Sequence, residues 1–286
     1  MKNLLRTLIY EGQVSLTLAD TTEIVKEGSR LHGLSQGATY VFGKALSAMT
    51  FMSACLKDER GEISLSLKGD GVGGEIGVSG NKALRIRGFI ENTAIEGGAN
   101  EETERACLGE NTALTIIRDD GYSRPFVGAC ALPKNGGLDA GFEEYFRISE
   151  QLPTRLSSIV EADEKGGCIF AGIVALQPLP YADENVLKAV AGMDLTAILT
   201  DIKESGIVAC VKKNFTIDER VLEERKAAYK CNCCRRYLTR VLVSLGETQM
   251  RQIIKEDGAV RVHCHYCNTD YEFTDEDADL LFPKEL

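Results

Sequence analysis

Two cysteine pairs in the last quarter of the sequence constrain this chain more than any other feature. The first lies in Tyr229-Lys230-Cys231-Asn232-Cys233-Cys234, the second in His263-Cys264-His265-Tyr266-Cys267. Thiols spaced this closely sit on tight turns. Two such turns can close around one ion with metal–sulfur distances near ~2.3 Å, the pattern of a tetrahedral zinc site. The segment 231–286 is too short to build much apolar core, so zinc is expected to hold it folded. In finger peptides that contribution is on the order of 10–16 kcal/mol. Cys231 can pair with Cys233 as C-x-C or with Cys234 as C-x-x-C, and geometry alone favours the wider spacing. His263 and His265 flank Cys264, but four thiolates need no further donor, and a surface or supporting role is expected for both. Four thiolates around a dication carry a net −2, which Lys230, Arg235, Arg236 and Arg261 stand close enough in sequence to offset. An oxidant can take such thiols through sulfenate to disulfide, which would remove the donors and the folding energy together.

The remaining composition narrows the class. With 286 residues and 44% hydrophobic content, the chain has room for one large domain and a small module. The net charge of −10 argues against a general nucleic-acid or anionic-membrane surface. No apolar run approaches the ~20 residues of a membrane span. The start, Met1-Lys2-Asn3-Leu4-Leu5-Arg6, does not read as a signal peptide. Cys55, Cys107, Cys130, Cys168 and Cys210 are scattered singly and are expected to be reduced and mostly buried. A cytoplasmic location is expected from both groups of cysteines.

Periodicity gives an α+β reading. Strands are expected at 13–18, 62–68, 75–78, 84–90, 112–117, 126–132, 156–161 and 168–176, from alternation and flanking turn residues. Helices are expected from Asp20 or Thr21 to Leu31, from Ser35 to about Leu56, and over Leu138–Ser149. Met49 and Met52 lie on the apolar stripe of the second helix and read as core. The N-terminal domain, 1–180, is therefore a mainly antiparallel sheet with packed helices, ending at Pro178-Leu179-Pro180. A helical linker, 181–230, follows, with helices over 182–193, 194–204 and 217–229. The last is so densely charged that it must lean on a neighbour to stay ordered. The cysteine module, 231–286, is expected to hold helices at 236–245, 247–256 and 275–281 and a hairpin of 259–263 with 269–273. It carries seven Lys and Arg against ten Asp and Glu.

Other chemistries find little support. Gly69-x-Gly71-x-x-Gly74 matches a dinucleotide fingerprint but leads into another strand, so no helix N-terminus can receive a pyrophosphate; these read as turn glycines. His32 is the only histidine outside the module, and no Ser-His-Asp or Cys-His set can be assembled. A four-thiolate zinc leaves no open position for a catalytic water, so no enzymatic activity is expected. The competing binding-module reading, a zinc ribbon for nucleic acid or transcription, needs a basic face that the acidic module lacks.

The chain resembles the heat shock protein 33 family, the redox-regulated bacterial holdase chaperones (33 kDa chaperonins). The resemblance rests on Cys231-Asn232-Cys233 and Cys264-His265-Tyr266-Cys267, separated by thirty residues, and on Leu67-Lys68-Gly69-Asp70-Gly71, Arg87-Gly88-Phe89 and the run Glu144 to Pro153. It implies an α+β chaperone core, a redox-responsive linker and a zinc-binding redox switch. It implies one zinc per chain in the reduced form, held by Cys231, Cys233, Cys264 and Cys267. Oxidants would form the disulfides Cys231–Cys233 and Cys264–Cys267, expel zinc and unfold module and linker. The activated protein, as a homodimer, would hold unfolding client proteins without ATP, in the cytoplasm, with neither nucleic acid nor membrane as partner. The family has a small polar residue after the C-x-C. Here that position is Cys234, a fifth thiol that can compete for zinc or for the disulfide of Cys231.

Overall fold

The most buried element is a central helix. In the computed structural model, which describes residues 2–134, 136–217 and 219–283, helix α1 spans Thr22–His32 and α2 spans Gln36–Ala54. All of α2 is buried except Gln36 and Tyr40, because it runs between two sheets and is apolar on every side. Ser35 caps it by accepting from the Ala38 N–H. Met49 and Met52 lie in the core, as their helical spacing suggests.

On one side of α2 lies a five-stranded antiparallel sheet of β1 (Leu4–Ile9), β2 (Val14–Asp20), β8 (Arg155–Ala162), β9 (Cys168–Pro178) and β10 (Glu223–Arg225), in the order β10-β1-β2-β9-β8. On the other lies a six-stranded sheet of β3 (Glu62–Lys68), β4 (Ile76–Asn81), β5 (Arg85–Ile90), β6 (Ala113–Asp119), β7 (Phe126–Ala131) and β11 (Ala228–Tyr229), in the order β11-β5-β4-β3-β6-β7. Among the described strands, only β11 runs parallel to its neighbour. Alternation sets the inward faces. Ile63, Leu65 and Leu67 of β3 are buried, and their neighbours Ser64 and Ser66 are not. The Gly69–Gly74 run is turn structure: the Asp70 carboxylate accepts from the Glu110 and Asn111 N–H groups, and a Cβ at Gly71 would stand 2.4 Å from the Cys107 carbonyl oxygen.

Helices α3 (Glu101–Leu108) and α4 (Gly137–Tyr145), the latter continued by a π-helical turn over Phe146–Glu150, close this core. A buried charge cluster ties them to α2. Lys44 Nζ lies 2.8 Å from Glu104 Oε2 and 3.7 Å from Asp139 Oδ2. Burial lowers the Lys44 pKa, but the facing carboxylates of Asp139 and Glu104 outweigh it and hold the ammonium well above the usual lysine range.

The outer face of the five-stranded sheet is covered by α5 (Glu184–Gly192), α6 (Leu195–Ser205) and α7 (Ile207–Asn214). Asp183 and Asp194 cap the first two. Val190, Ile198, Leu199 and Ile202 share one apolar cluster with Leu16, Leu18, Val174 and Leu176. Residues 181–230 thus lie in the same compact unit as 1–180, and the chain divides between Lys230 and Cys231.

The helix expected over 217–229 is not formed. Among the described residues, a 3-10 turn at Glu219–Val221 is followed by β10 and β11. The run Glu-Glu-Arg-Lys has good helix formers, but the open edges of β1 and β5 offer its backbone partners, and pairing across the fold overrides a weak local preference. Strand β1 and helices α3 and α7 lie outside the expected elements.

The smaller unit contains α8 (Arg235–Leu245), α9 (Glu247–Asp257), the hairpin β12 (Val260–Cys264) with β13 (Thr269–Phe273), and α10 (Asp275–Leu281). All five follow the expected pattern to within a residue or two. Among its described residues, seven apolar side chains are buried: Leu242, Met250, Ile254, Val260, Phe273 and Ala278, which form one cluster, and Ala259.

Candidate metal centre

Two short segments bring four sulfurs together. Cys231 and Cys233 lie on the extended stretch before α8, where the Cys233 N–H points at Cys231 Sγ at 3.4 Å. Cys264 ends β12, and Cys267 lies in the turn to β13, where Asn268 adopts φ of 50°. The register His263 opposite Asp270 and Cys264 opposite Thr269 fixes this turn. All four Sγ atoms lie within 4.8 Å of one another, and all four residues are half-buried. Cys231 Sγ is 3.7 Å from Cys264 Sγ, and Cys233 Sγ is 3.1 Å from Cys267 Sγ. A tetrahedron with metal–sulfur bonds of ~2.3 Å has edges of about 3.8 Å, so the cluster is of the size such an ion requires. Four soft donors and no carboxylate match zinc rather than magnesium or calcium.

Cys234 is exposed and lies outside the cluster. Its carbonyl accepts the first N–H groups of α8, from Tyr237 and Leu238. Neither histidine joins the sulfurs. His263 Nδ1 is 2.7 Å from Asp270 Oδ1, and the His265 ring packs edge-on against His263 at 5.0 Å. Two of the four cations expected beside the thiolates, Arg235 and Arg261, are engaged elsewhere. Arg235 donates to both Asp277 oxygens and to the Glu272 carbonyl, and its guanidinium lies 4.5 Å over the Phe273 ring. Arg261 reaches Glu272.

One contact was not legible from spacing. The Tyr271 hydroxyl stands 3.4 Å from Cys233 Sγ, brought there by β13. Burial alone would raise the Cys233 pKa, but Tyr271 and the sulfurs of Cys267, Cys231 and Cys264 outweigh it and hold the thiol at about 7. Burial, reinforced by neighbouring sulfurs, pushes Cys231 up, and Cys267 to about 11. Away from the cluster, burial pushes Cys107 and Cys168 to about 12 and raises Cys55, Cys130 and Cys210 as well.

The sequence profile of the Hsp33 protein family matches residues 2–274. The chain belongs to the Hsp33 family. Two Hsp33-family relatives named 33 kDa chaperonin, from Clostridium novyi (strain NT) and Clostridium perfringens (strain SM101 / Type A), are each 30% identical to it. The first alignment covers 97% of both chains, the second 99% of this chain and 92% of the relative. The crystal structure of the 33 kDa chaperonin (heat shock protein 33 homolog) from Thermotoga maritima superposes with a TM-score of 0.82 at 25% identity, over 98% of this chain and 97% of that one. The Hsp33 fold and a cysteine cluster able to hold a metal therefore occur in one chain. Among the described residues, no helix is long and apolar enough to cross a membrane.

Proposed function

We propose that this protein is a redox-regulated, ATP-independent holdase chaperone of the cytoplasm. The observation that carries the reading is the four-cysteine cluster, set in a small unit of its own, in a chain of the Hsp33 family. Cys231, Cys233, Cys264 and Cys267 hold one zinc in the reduced form. Bound zinc would supply a cross-link between the stretch before α8 and the β12–β13 hairpin, in a unit whose main apolar cluster, among the described residues, has six buried members.

Peroxide is the oxidant. A thiolate of one pair attacks it to give a sulfenic acid, with loss of hydroxide, and the second thiol of that pair displaces water to close the disulfide. The pairs are Cys231–Cys233 and Cys264–Cys267. Two disulfides leave no thiolate to act as donor, and residues 231–286, the redox switch, lose the cross-link that folds them. Cys55, Cys107, Cys130, Cys168 and Cys210 are partly or fully buried with raised pKa values, so oxidation concentrates in residues 231–267, at the cluster and the exposed Cys234 beside it.

Residues 181–230 serve as the redox-responsive linker on the chaperone core, 1–180. Helices α5 to α7 cover Leu16, Leu18, Val174 and Leu176, and their departure exposes an apolar sheet face that can hold unfolding clients. The activated form is a homodimer. Peroxide with mild warming is expected to release one zinc per chain and to confer suppression of client aggregation, which the reduced protein lacks. Equal activity in both redox states would remove the reading. The ligand set has its own test. Cys234→Ser should keep one zinc per chain, and Cys233→Ser should lose it; the reverse would make Cys234 the ligand.

A further inference from the structure

The last residues of the larger unit form a strap along two sheet edges. Over Glu223–Arg225 the strap pairs antiparallel with β1, Leu4 opposite Arg225 and Arg6 opposite Glu223. It then crosses to the other sheet and runs parallel to β5, Ala228 beside Arg85 and Tyr229 beside Ile86. In each sheet it is the outermost strand. Main chain does most of the holding. The Asn3 N–H donates to the Arg225 carbonyl at 3.1 Å, the Ala228 N–H to the Leu84 carbonyl at 3.0 Å, and the Lys230 N–H to the Ile86 carbonyl at 2.7 Å. At the crossing, the Asn3 amide stands in for a strand. Its Oδ1 accepts from the Ala227 N–H at 2.8 Å, and its Nδ2 donates to the Ala227 carbonyl at 3.2 Å.

Two strap side chains, Ala227 and Tyr229, enter apolar surroundings, and a third, Arg225, turns inward to donate to the Lys82 carbonyl. Ala227 is 4% exposed and belongs to the main core cluster. The Tyr229 ring lies in a slot that a Cβ at Gly28 would narrow, since that atom would stand 3.1–3.2 Å from Phe42, Leu46 and Tyr229 itself. At the end of the slot, the Tyr229 hydroxyl donates to the Gly88 carbonyl at 2.8 Å and accepts from the Gly88 N–H at 3.3 Å. The side chains of Glu223, Lys226 and Lys230 stay exposed.

We propose that the outer edges of β1 and β5 form a binding site for an extended segment of an unfolding protein, and that the strap is its internal stand-in. The inference rests on the holdase reading, because a client can reach these edges only after the strap has left. The strap shows what the site takes: about seven residues in extended conformation, a small residue where Ala227 enters, and an aromatic ring two positions on. Main-chain pairing gives affinity without demanding a sequence, and the two side-chain positions add a preference; strand addition to sheet edges works this way. An open edge is also an aggregation hazard, which the strap removes in the resting protein.

The probe is a fluorescein-labelled peptide of residues 222–230, tested by anisotropy against the full-length chain in three states: reduced wild type, peroxide-treated wild type, and a reduced A227R/Y229D double variant built to eject the strap. Amide exchange at positions 227, 228 and 230 scores strap release. The peptide should bind the two released states and not the reduced wild type. A chemically unfolded client should displace it, and a peptide with serine for the tyrosine should bind at least tenfold more weakly. If the double variant loses its fold, Asn3→Ala, which removes the clasp and one bond to the Asp20 carbonyl, takes its place. Released samples that leave the peptide unbound, bind the serine peptide equally, or resist displacement by the client would overturn the proposal. Specific, client-displaceable binding by the released variant but not by peroxide-treated wild type would support it and place the fault in the redox reading.

Discussion

The two units of this chain are held together by different means. In the larger one, apolar side chains fill the space between two sheets around α2, and a second cluster lies under α5 to α7. In the smaller one, a cluster of six buried residues and four convergent sulfurs serve, among the described residues, a unit of two helices, a hairpin and a closing helix. A unit of that size rarely stands on its apolar core alone. Under the proposed function, the smaller unit depends on chemistry at sulfur and the larger one does not. A fold held by four metal-bound thiolates would convert an oxidation into an unfolding event, which a core of packed leucines cannot do.

The largest expected break in this comparison is metal removal. A chelator strong enough to strip zinc from the reduced protein should unfold residues 231–283, a loss on the order of 10 kcal/mol, and leave the larger unit intact. Amide exchange resolved by segment would check this; retained protection of β12 and β13 without metal would contradict it.

Next comes the buried charge cluster, which sharpens the contrast from the other side. Lys44→Met leaves the Glu104 and Asp139 carboxylates facing each other without their cation and should cost about 3–5 kcal/mol. The loss should fall on the larger unit only and leave zinc content unchanged. Because the carboxylates raise the Lys44 pKa, its contribution is complete below the ordinary lysine value of about 10.4 and is lost as pH rises through the folded value. The stability gap between wild type and variant should stay flat from about pH 8 to 10 and shrink above it in chemical denaturation.

The smallest effect belongs to the capping box of α10, where Thr274 and Asp277 bond reciprocally. Thr274→Ala should cost about 1 kcal/mol, confined to the smaller unit. Zinc affinity would register it as a severalfold weakening, and an unchanged affinity would mean that α10 does not support the metal-bound fold.

Legibility followed the same division. Nearly every element of the smaller unit could be read from sequence, because its helices and hairpin are local and its cysteines announce themselves by spacing. In the larger unit, alternation revealed most strands of both sheets. The strap was misread because its charged residues favour a helix in isolation, whereas the edges of β1 and β5 that recruit it lie more than a hundred residues away in sequence. The Lys44 cluster was equally hidden, since Glu104 stands 60 residues from Lys44 and only the packing of α3 and α4 on α2 unites them. Tyr271 escaped notice beside Cys233 for the same reason: strand register, not motif spacing, puts it there. Turn geometry alone favours Cys234, but the structure brings Cys233, the residue implied by the family resemblance, to the other three sulfurs.

One titration tests the central claim most directly. Increasing peroxide is added to the zinc-loaded protein under mild warming, and released zinc and suppression of client aggregation are followed in the same samples. The account predicts that the two curves rise together, reach one zinc per chain at full activity, and reverse on thiol reduction in the presence of zinc. Full zinc release without any gain in aggregation suppression, or full suppression with the metal still bound, would contradict it.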